Sequence, residues 1–473
     1  METTHHRAPR AQRADAGLHR ILILGGGFGG VHVARQLERR FRSEPNVEIT
    51  LLSRDNFFLI TPLLFEACSG TLELRHCSVP IRACLGRARF VQGTVRKPID
   101  LERRIVLADG EGSERALAYD QLVLALGAWT NLGLIPGSEH ALTFKTMADA
   151  IVLRNHVIER FEAADVEPDP ELKRQLLSFV VIGGGLVGTE LLGELSAFAH
   201  DILGFYPSVQ RGDLRFFLFE SSPRIMPEIE PGLVDHAVRV LQRRPGVVLR
   251  TSTPVKAIEQ GGVLLEGERV AAATIVLAAG ILPSPIVAAL RLDKSKRGHV
   301  VTDATLRSSR PEVWALGDCA QIPGPDGKPY PYLAQHALRE AKLLARNVCA
   351  AYRGRPLVPF RFEMLGVMAA LGKRQGVARV MFLRLRGFIA WWLRRTYYLL
   401  QTPGLERKLR IVADWTLALF LRPDVVKVGF ADERELVARD AAPSAAVLPT
   451  AGAPLTLLAP VSGHEQHRVA RAP

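Results

Sequence analysis

A short apolar strand that runs directly into a group of glycines is the feature that most constrains this chain. Residues 21–24 are all apolar, and the glycines behind them place Gly25, Gly27 and Gly30 in the G-x-G-x-x-G spacing. In that spacing the first glycine allows a tight turn, the second lets the backbone approach a pyrophosphate, and the third lets a helix pack closely on the strand. Residues 31–40 contain no helix breaker, so a helix N-terminus is expected to add partial positive charge. Alone the pattern is a weak signal, because glycine loops also simply end strands.

The same pattern occurs a second time in the chain. Residues 179–182 are apolar, and Gly183, Gly185 and Gly188 repeat the spacing. Two such loops in one chain predict two dinucleotides bound to one enzyme. The predicted fold class is therefore α/β, with two Rossmann-like dinucleotide-binding domains.

The strand that follows each loop predicts how the ribose is held. In a Rossmann unit a carboxylate at the end of this strand hydrogen-bonds the ribose hydroxyls. Ser53 occupies that place in the first unit, 23 residues after Gly30, and can bond a hydroxyl only more weakly; Asp55 lies close by. Glu220 occupies it in the second unit, and a carboxylate there accepts from the hydroxyls of NAD and repels the extra phosphate of NADP. An incidental surface glutamate is the alternative for Glu220.

Further apolar runs end in residues that a nucleotide site can use. They end at Ala125 and Gly127, at Gly280, and at Asp318. An aspartate at a strand end can hydrogen-bond a sugar or ribityl hydroxyl, although it is also a common turn residue. Apolar and aromatic residues at 57–64 could line a flat cofactor, but ordinary core is the safer reading of that segment.

The charge balance is strongly basic. The chain has 61 lysine and arginine residues against 48 aspartate and glutamate residues, a net charge of +13 at pH 7. Nucleic acid is disfavoured as a partner because no recognisable nucleic-acid-binding module occurs. A surface of anionic lipids is the better expectation, and an arginine-rich composition with no partner is the plain alternative.

The cysteine pattern and the apolar stretches exclude several classes of protein. The cysteines form neither a C-x-x-C pair nor a zinc-binding spacing, so no metal site is expected, and their odd number fits a reducing compartment. Residues 1–19 lack the apolar region of a secretory signal, and no apolar stretch reaches the roughly 18 to 20 residues of a membrane span. The five cysteines are Cys68, Cys77, Cys84, Cys319 and Cys349.

The chain changes character after residue 359. Residues 388–400 combine paired tryptophans and tyrosines with two arginines, and residues 405–421 place apolar side chains at helical spacing behind a basic start. Aromatic residues beside arginine and lysine suit a helix that lies in a bilayer interface. Two helices packed on the protein core or on a second subunit are the alternative.

Taken together and in this order, the motifs resemble those of the two-dinucleotide flavoproteins. The resemblance is closest to the type II NADH dehydrogenases, which are single-chain NADH:quinone oxidoreductases. It extends from residue 20 to about residue 430. It rests on residues 25–30, 61–64, 125–127, 183–190, 278–280, 317–318 and 334–335.

The resemblance implies two cofactors, FAD on the first loop and NAD(H) on the second. For FAD it implies contacts from Gly25, Gly27, Gly30, Ser53, Thr61, Pro62, Ala125, Gly127, Asp318, Ala334 and Gln335. For NAD(H) it implies contacts from Gly183, Gly185, Gly188, Glu190, Glu220 and Gly280. The implied domains are a tail at 1–19, an FAD domain at 20–145 and 285–358, an NAD(H) domain at 146–284, a membrane-associated segment at 359–430, and a disordered tail at 438–473.

The resemblance also implies roles for single residues. Asp318 would contact the ribityl chain, and Gln335 would lie near the flavin ring and the quinone. Glu190 would lie where nicotinamide and flavin meet, and it is the candidate to relay protons to the quinone, so Glu190 and Gln335 are the catalytic candidates. Arg339 and Glu340 replace glutamines that are usual in the family.

The expected activity is oxidation of NADH through FAD with two-electron reduction of a membrane quinone. The expected location is peripheral, on the cytoplasmic face of the cell membrane through residues 388–421, and a homodimer is possible. One alternative is a sulfide:quinone oxidoreductase, for which Cys319 and Cys349 are the available cysteines. Another is an NADH-binding flavoprotein that signals redox state through a partner.

Overall fold

Two parallel sheets form the framework of the chain in a computed structural model, which describes residues 17–96, 99–110, 113–364 and 366–427. The strands, numbered in chain order, are β1 His19–Leu24, β2 Val47–Ser53, β3 Phe57–Leu59, β4 Ser78–Pro80, β5 Arg89–Gln92, β6 Thr94–Val95, β7 Ile105–Gly110, β8 Ser113–Ala118, β9 Gln121–Leu124, β10 Ala128–Thr130, β11 Leu142–Thr143, β12 Ser178–Ile182, β13 Arg215–Phe219, β14 Val247–Arg250, β15 Ala257–Glu259, β16 Gly262–Leu264, β17 Arg269–Ala271, β18 Thr274–Leu277, β19 Ile281–Pro283, β20 Val300–Val301, β21 Val313–Ala315, β22 Ala320–Gln321, β23 Gly366–Ala370, β24 Gly376–Val380 and β25 Leu383–Arg386.

Helices cover and connect these sheets. The α-helices are α1 Phe28–Arg40, α2 Leu64–Cys68, α3 Ile81–Cys84, α4 Met147–Val166, α5 Pro170–Leu176, α6 Leu186–Ile202, α7 Pro231–Gln242, α8 Pro285–Ala289, α9 Ala334–Tyr352, α10 Gly387–Gln401 and α11 Leu405–Leu417. Short 3₁₀ helices lie at Thr61–Leu63, Leu74–Cys77, Ser138–His140, Leu203–Phe205, Arg211–Asp213 and Gly317–Cys319.

The first sheet has the strand order β21-β9-β1-β2-β5, with every pair parallel. Its central strands are buried on both faces, which explains why the sequence shows continuous apolar runs rather than alternation. Because the strands are parallel, the ends of β1, β2, β9 and β21 lie along one edge of the sheet. That edge carries the first glycine loop, Ser53, Ala125 and the turn that contains Asp318.

The second sheet has the order β11-β18-β12-β13-β14 and is also parallel throughout. Here the second glycine loop follows β12, and Glu220 follows β13. The chain passes between the sheets through the antiparallel pair β10 and β19. The strand β11 pairs with the second sheet although it precedes residue 146, where the NAD(H) domain was expected to begin. The limits of the two domains stay a prediction.

Local sequence features set the limits of three elements. The extended segment at residues 89–95 is divided into β5 and β6 at Gly93, where a Cβ would lie 2.8 Å from the carbonyl oxygen of Asp109. The connection after α4 is short, because Asp169 caps the next helix, α5, and Pro170 begins it. His19, placed in the N-terminal tail, is the first residue of β1. Residues 1–16 of the predicted tail at 1–19, and the whole predicted tail at 438–473, lie outside the described residues.

The C-terminal segment contains a sheet that the sequence did not predict. The strands β23, β24 and β25 form an antiparallel sheet before α10 and α11 begin. Gly376 lets this sheet approach α10, because a Cβ there would lie 2.9 Å from the backbone nitrogen of Trp391. Among the helices formed by the described residues, none is long and apolar enough to cross a membrane.

Candidate active site

The first glycine loop has the geometry of a pyrophosphate cradle. A Cβ on Gly30 would lie 1.8 Å from the carbonyl oxygen of Gly25, so the helix and the strand can pack only if residue 30 is glycine. Gly25 itself has a φ of +107°, which favours glycine. In contrast, no protein atom lies within 4 Å of a Cβ built on Gly27. Open space before the N-terminus of α1 is what a bound pyrophosphate requires.

The second loop repeats this geometry. A Cβ on Gly188 would lie 1.9 Å from the carbonyl oxygen of Gly183, which has a φ of +108°. Nothing lies within 4 Å of a Cβ on Gly185, which is the N-cap residue of α6. The residues present therefore fit two dinucleotides, one at each loop.

The second loop gives a prediction that separates binding from folding. An aspartate is a preferred N-cap residue, so Gly185→Asp is expected to keep the melting temperature at or above that of the unmodified protein. Its charge would face the pyrophosphate, and we expect the Kd for NADH to rise at least ~100-fold while flavin stays bound, because juxtaposed like charges cost several kcal/mol. Calorimetric titration with NADH measures the change.

Two other glycines provide the controls for this prediction. Gly212→Asp places the same charge on a glycine of the 3₁₀ helix Arg211–Asp213 that also has open space around it, and it should leave the Kd unchanged. Gly188→Ala should lower the free energy of unfolding by roughly 1–3 kcal/mol or more, because the added carbon overpacks the loop. An unchanged NADH affinity in Gly185→Asp would contradict the placement of the pyrophosphate.

The predicted ribose residues lie at matching places in the two sheets. Ser53 is buried beside Gly26, where a Cβ would lie 2.6 Å from its Oγ. Glu220 lies beside Gly184 in the same way, and its carboxylate accepts hydrogen bonds of 2.6 Å from the backbone nitrogens of Gly184 and Ser222. Partial burial opposes ionisation, but these hydrogen bonds lower the pKa of Glu220. Glu220 is thus an oriented carboxylate, and its contact with ribose stays a prediction.

Asp318 lies on the 3₁₀ turn that follows β21, at the same sheet edge as the first loop. Lys145, which sequence reasoning did not single out, places its Nζ 3.6 Å from the Asp318 carboxylate. Burial raises the pKa of Asp318, and the Lys145 ammonium opposes that shift. The pair brings the end of the first sheet and the segment before α4 together. In the sequence Lys145 gave no signal beyond a charge next to the N-cap of α4.

The start of α9 connects this turn to the C-terminal sheet. Gln335 donates to the carbonyl oxygen of Gly366 at 3.1 Å. Glu340 is buried and accepts a hydrogen bond of 2.8 Å from the backbone nitrogen of Gly317. Arg339 lies over the ring of Phe362 instead, with its guanidinium 4.5 Å from the ring centre. Of the two residues that depart from the family pattern, Glu340 therefore contacts the Gly317–Cys319 turn directly.

Glu340 is expected to make stability depend on pH. Burial raises the pKa of Glu340 to about 7, and nearby Asp318 adds to the shift although the Gly317 hydrogen bond opposes it. The unfolded value is about 4.3, so the folded protein loses stability as pH rises towards 7. We expect Glu340→Gln, which keeps an acceptor, to be more stable than the unmodified protein above pH 7. The difference in free energy of unfolding should grow by up to ~1.4 kcal/mol per pH unit between about pH 4.5 and pH 7, and it should vanish below about pH 4.5.

Urea unfolding across that pH range measures the difference. The control is Glu406→Gln on the exposed start of α11, which should have no such effect. If the free energies of unfolding of Glu340→Gln and the unmodified protein changed in parallel with pH, the pKa of Glu340 would be the same in the folded and unfolded states, which would contradict the prediction.

A buried ion cluster lies where α2, α6 and α10 meet. Arg394 of α10 bonds to Glu190 with a shortest distance of 2.7 Å and donates to the carbonyl oxygen of Pro62 at 2.8 Å. Its neighbour Arg395 bonds to Glu66 at 2.9 Å. The side chains of Glu66 and Arg394 are 1% and 2% exposed, so these charges are almost fully removed from water. The buried ion cluster consists of Glu66, Glu190, Glu194, Arg394 and Arg395.

The buried ion cluster fixes the surroundings of the catalytic candidate Glu190. Its Oε1 also accepts from the backbone nitrogen of Ala370 at 2.7 Å. Burial raises the pKa of Glu190, and the ion pair with Arg394 opposes that shift. Glu194, one turn further along α6, lies near Glu66, and burial followed by repulsion from Glu66 raises the pKa of Glu194 to about 7. With this pKa, the Glu194 carboxyl titrates near neutral pH.

A family model described as pyridine nucleotide-disulphide oxidoreductase matches residues 19–341. The chain belongs to this family. A relative from Dictyostelium discoideum, called probable NADH dehydrogenase, is 31% identical over 418 residues, covering 86% of this chain and 90% of the relative. The type II NADH:quinone oxidoreductase of Staphylococcus aureus is 30% identical over 370 residues, covering 76% and 89%.

The fold of the chain is also that of a solved structure. The structure of NDH2 from Plasmodium falciparum in complex with NADH superposes with a TM-score of 0.78 at 18% identity, over 86% of this chain and 100% of the other. The α/β fold class and the resemblance to type II NADH dehydrogenases are confirmed. The roles of the individual site residues stay predictions.

The cysteines of this family member do not have the environment of reactive thiols. All five are free and buried. Burial raises the pKa of Cys319 to about 11, and it also raises the pKa of Cys349. Because a reactive cysteine needs a thiolate, both candidates for sulfide chemistry are disfavoured.

The arginines of α10 contradict one part of the sequence-based prediction. They were expected beside the aromatic residues at a bilayer interface, but Arg394 and Arg395 face the protein interior. The face that points outward carries Phe388, Ile389, Trp392 and Leu400, which are 54–66% exposed. This helix is therefore inverted relative to an ordinary surface helix, which buries its apolar residues and exposes its charges. Sequence reasoning missed the cluster because arginine next to tryptophan is also typical of a membrane surface.

Proposed function

We propose that this chain oxidises NADH with FAD as its cofactor and passes two electrons to a quinone. The observation that carries the proposal is the pair of glycine loops. Each leaves open space before a helix N-terminus, and each has a potential ribose contact, Ser53 or Glu220, beside it. The family membership and the names of the relatives support the same activity.

The chain's own residues bind and orient in this reaction. When bound, FAD supplies the hydride-accepting and electron-transferring chemistry. The loop at Gly25–Gly30 and Asp318 hold FAD, while the second loop and Glu220 hold NADH. Gln335 lies at the start of α9 beside the expected quinone site. Because the described loops hold no reactive thiol, the protein's task is to position the two ligands and exclude water.

Quinone reduction consumes protons, and α6 is the proposed source. Glu190 is the proposed relay, with its carboxylate held by Arg394 and the Ala370 backbone. Glu194 lies one turn away on the same helix and titrates near pH 7. A carboxyl group that titrates near the operating pH is suited to giving and regaining a proton.

The experiment that tests the activity is steady-state oxidation of NADH by the purified yellow protein, with a soluble quinone as acceptor. We expect turnover that depends on the quinone and that is much slower with NADPH. Sulfide should not replace NADH as the donor. Turnover with sulfide would favour the sulfide:quinone alternative, and tight binding of NADH without turnover on any quinone would favour a redox-responsive binding protein.

Attachment to a membrane surface is the second part of the proposal. Its support is the exposed apolar face of α10, together with the exposed apolar residues Leu405, Leu409 and Leu417 of α11 and Phe420 just beyond the end of that helix. A net charge of +13 adds attraction to anionic lipids such as those of the cytoplasmic leaflet. We therefore propose peripheral attachment at the cytoplasmic face of the cell membrane. A homodimer stays a prediction.

A double substitution tests this attachment better than a truncation. Removing α10 would leave Glu66 and Glu190 buried without their arginines, so loss of binding could reflect misfolding. Trp392→Ser with Leu400→Ser changes only the outward face and should weaken binding to anionic liposomes, while activity with soluble quinone is retained. Val166→Ser, at an exposed apolar position on α4, is the control. Unchanged liposome binding would contradict attachment through α10.

A further inference from the structure

The turn between β24 and β25 exposes apolar side chains that the activity does not use. The two strands pair with Val380 opposite Leu383, so Met381 and Phe382 form a two-residue hairpin turn. Phe382 is 82% exposed and Met381 is 66% exposed, and Leu383 next to them is 50% exposed. Phe382 is as exposed as any large hydrophobic residue that the structure describes.

The backbone conformation of this turn does not suit the residues that form it. Met381 has a φ of +54°, and a positive φ at the first position of a two-residue turn is normally taken by glycine. A methionine with this φ has a strained backbone, and the exposure of both apolar side chains to water is unfavourable in free energy. Hairpin turns of this length usually carry glycine with asparagine, aspartate or serine. The turn therefore has a composition that favours neither folding nor solubility.

The turn is continuous with the surface already proposed to meet a membrane. The strand β25 leads directly into α10, which packs on β24 where Trp391 meets Gly376. The first exposed residues of that helix are Phe388 and Ile389. Between the turn and the helix, Arg384 pairs with Glu230, and Arg386 donates to the carbonyl oxygen of Gly232. These two contacts hold β25 against α7, so the turn is presented on a fixed support.

We propose that Met381 and Phe382 form a second membrane anchor, which inserts into the surface of a lipid bilayer beside α10. The proposal rests on the proposed membrane attachment and extends it beyond the helical segment. A bilayer is the occupant because an apolar environment removes the cost of exposing both side chains. The anchor acts by apolar burial, since the nearby Arg384 already has a carboxylate partner.

The test replaces the turn by one that folds better. Met381→Gly with Phe382→Ser installs a favoured two-residue turn, so the melting temperature should be unchanged or higher. Turnover of NADH with a soluble quinone should match the unmodified holoenzyme. Binding to vesicles of equal parts phosphatidylcholine and phosphatidylglycerol should weaken ~10-fold or more, because fully burying one such side chain is worth more than a factor of ten. Val166→Ser is the matched control for loss of one exposed apolar residue.

Each outcome bears on this inference separately from the proposed attachment. If the turn variant binds vesicles as well as the unmodified protein while the Trp392 and Leu400 double variant does not, the second anchor is wrong and attachment through α10 stands. If the unmodified protein does not bind vesicles at all, both are wrong. If the turn variant changes only the mass in solution, from dimer to monomer, the turn is a contact between two copies of the chain, which also overturns the anchor.

Discussion

Replacing Arg394 by leucine is expected to lower the free energy of unfolding by roughly 3–5 kcal/mol, because it leaves a buried carboxylate without its partner. The guanidinium of Arg394 forms an ion pair with Glu190 and also donates a hydrogen bond to the carbonyl oxygen of Pro62. Leucine fills part of the space but supplies no donor, so Glu190 and Pro62 both lose a hydrogen bond. Urea unfolding of the holoenzyme measures the loss.

The loss should depend on pH. Without Arg394 the buried Glu190 has a folded pKa well above its unfolded value, so the variant is relatively stable at low pH and loses stability as pH rises. The gap from the unmodified protein should thus be smaller at pH 5 than at pH 8. Arg394→Lys, which keeps the charge but not the fork geometry, should recover part of the stability.

An exposed arginine of α11 provides the control. Arg410 pairs with Glu406 on the same helix and both are exposed. Arg410→Ala should cost no more than about 0.5 kcal/mol. If Arg394→Leu were equally mild at pH 8, Glu190 would not depend on Arg394 as the partner of a buried carboxylate.

Replacing Glu220 by alanine is expected to reverse part of the preference between the two nicotinamide cofactors. A hydrogen bond to a charged group contributes about 1.5–3 kcal/mol, so kcat/KM for NADH should fall ~10- to 100-fold. The change also frees the backbone nitrogens of Gly184 and Ser222, which now donate to Glu220. Free donors and the absence of a negative charge should make the site accept the phosphate of NADPH better.

Steady-state kinetics with both cofactors test this expectation. The control is Glu259→Ala, which removes an exposed carboxylate that pairs with Arg269 on the small sheet of β15, β16 and β17. It should leave both values of kcat/KM unchanged. If Glu220→Ala lowers kcat/KM for NADH and NADPH equally, Glu220 orients the loop but does not select the cofactor.

The parts of the site that depend on local chemistry could be predicted from sequence. Gly30 and Gly188 must be glycine because the carbonyl oxygens of their own loops fill the space of a Cβ. Ser53 and Glu220 follow from their position at strand ends, since parallel strands bring those ends to one edge. Each of these features is decided within a stretch of some forty residues or fewer, where spacing alone carries the information.

The buried ion cluster could not be predicted in this way. Arg394 contacts Pro62, which is 332 positions away in the chain, and Glu190, which is 204 positions away. Only packing of α10 on both partners reveals that its charged face is the inner one. The sheet of β23, β24 and β25 was missed for a related reason, because Gly376 gave no strand signal although it allows the close approach of the sheet to α10.

Anaerobic stopped-flow measurement of the flavin absorbance tests the central claim most directly. Mixing the oxidised holoenzyme with NADH should bleach the flavin rapidly, and mixing with NADPH should do so far more slowly. Adding a soluble quinone to the reduced protein should then restore the absorbance within one turnover. Bleaching by NADH with no recovery on quinone would contradict the proposed NADH:quinone activity, and bleaching by sulfide in place of NADH would assign the chain to a different donor.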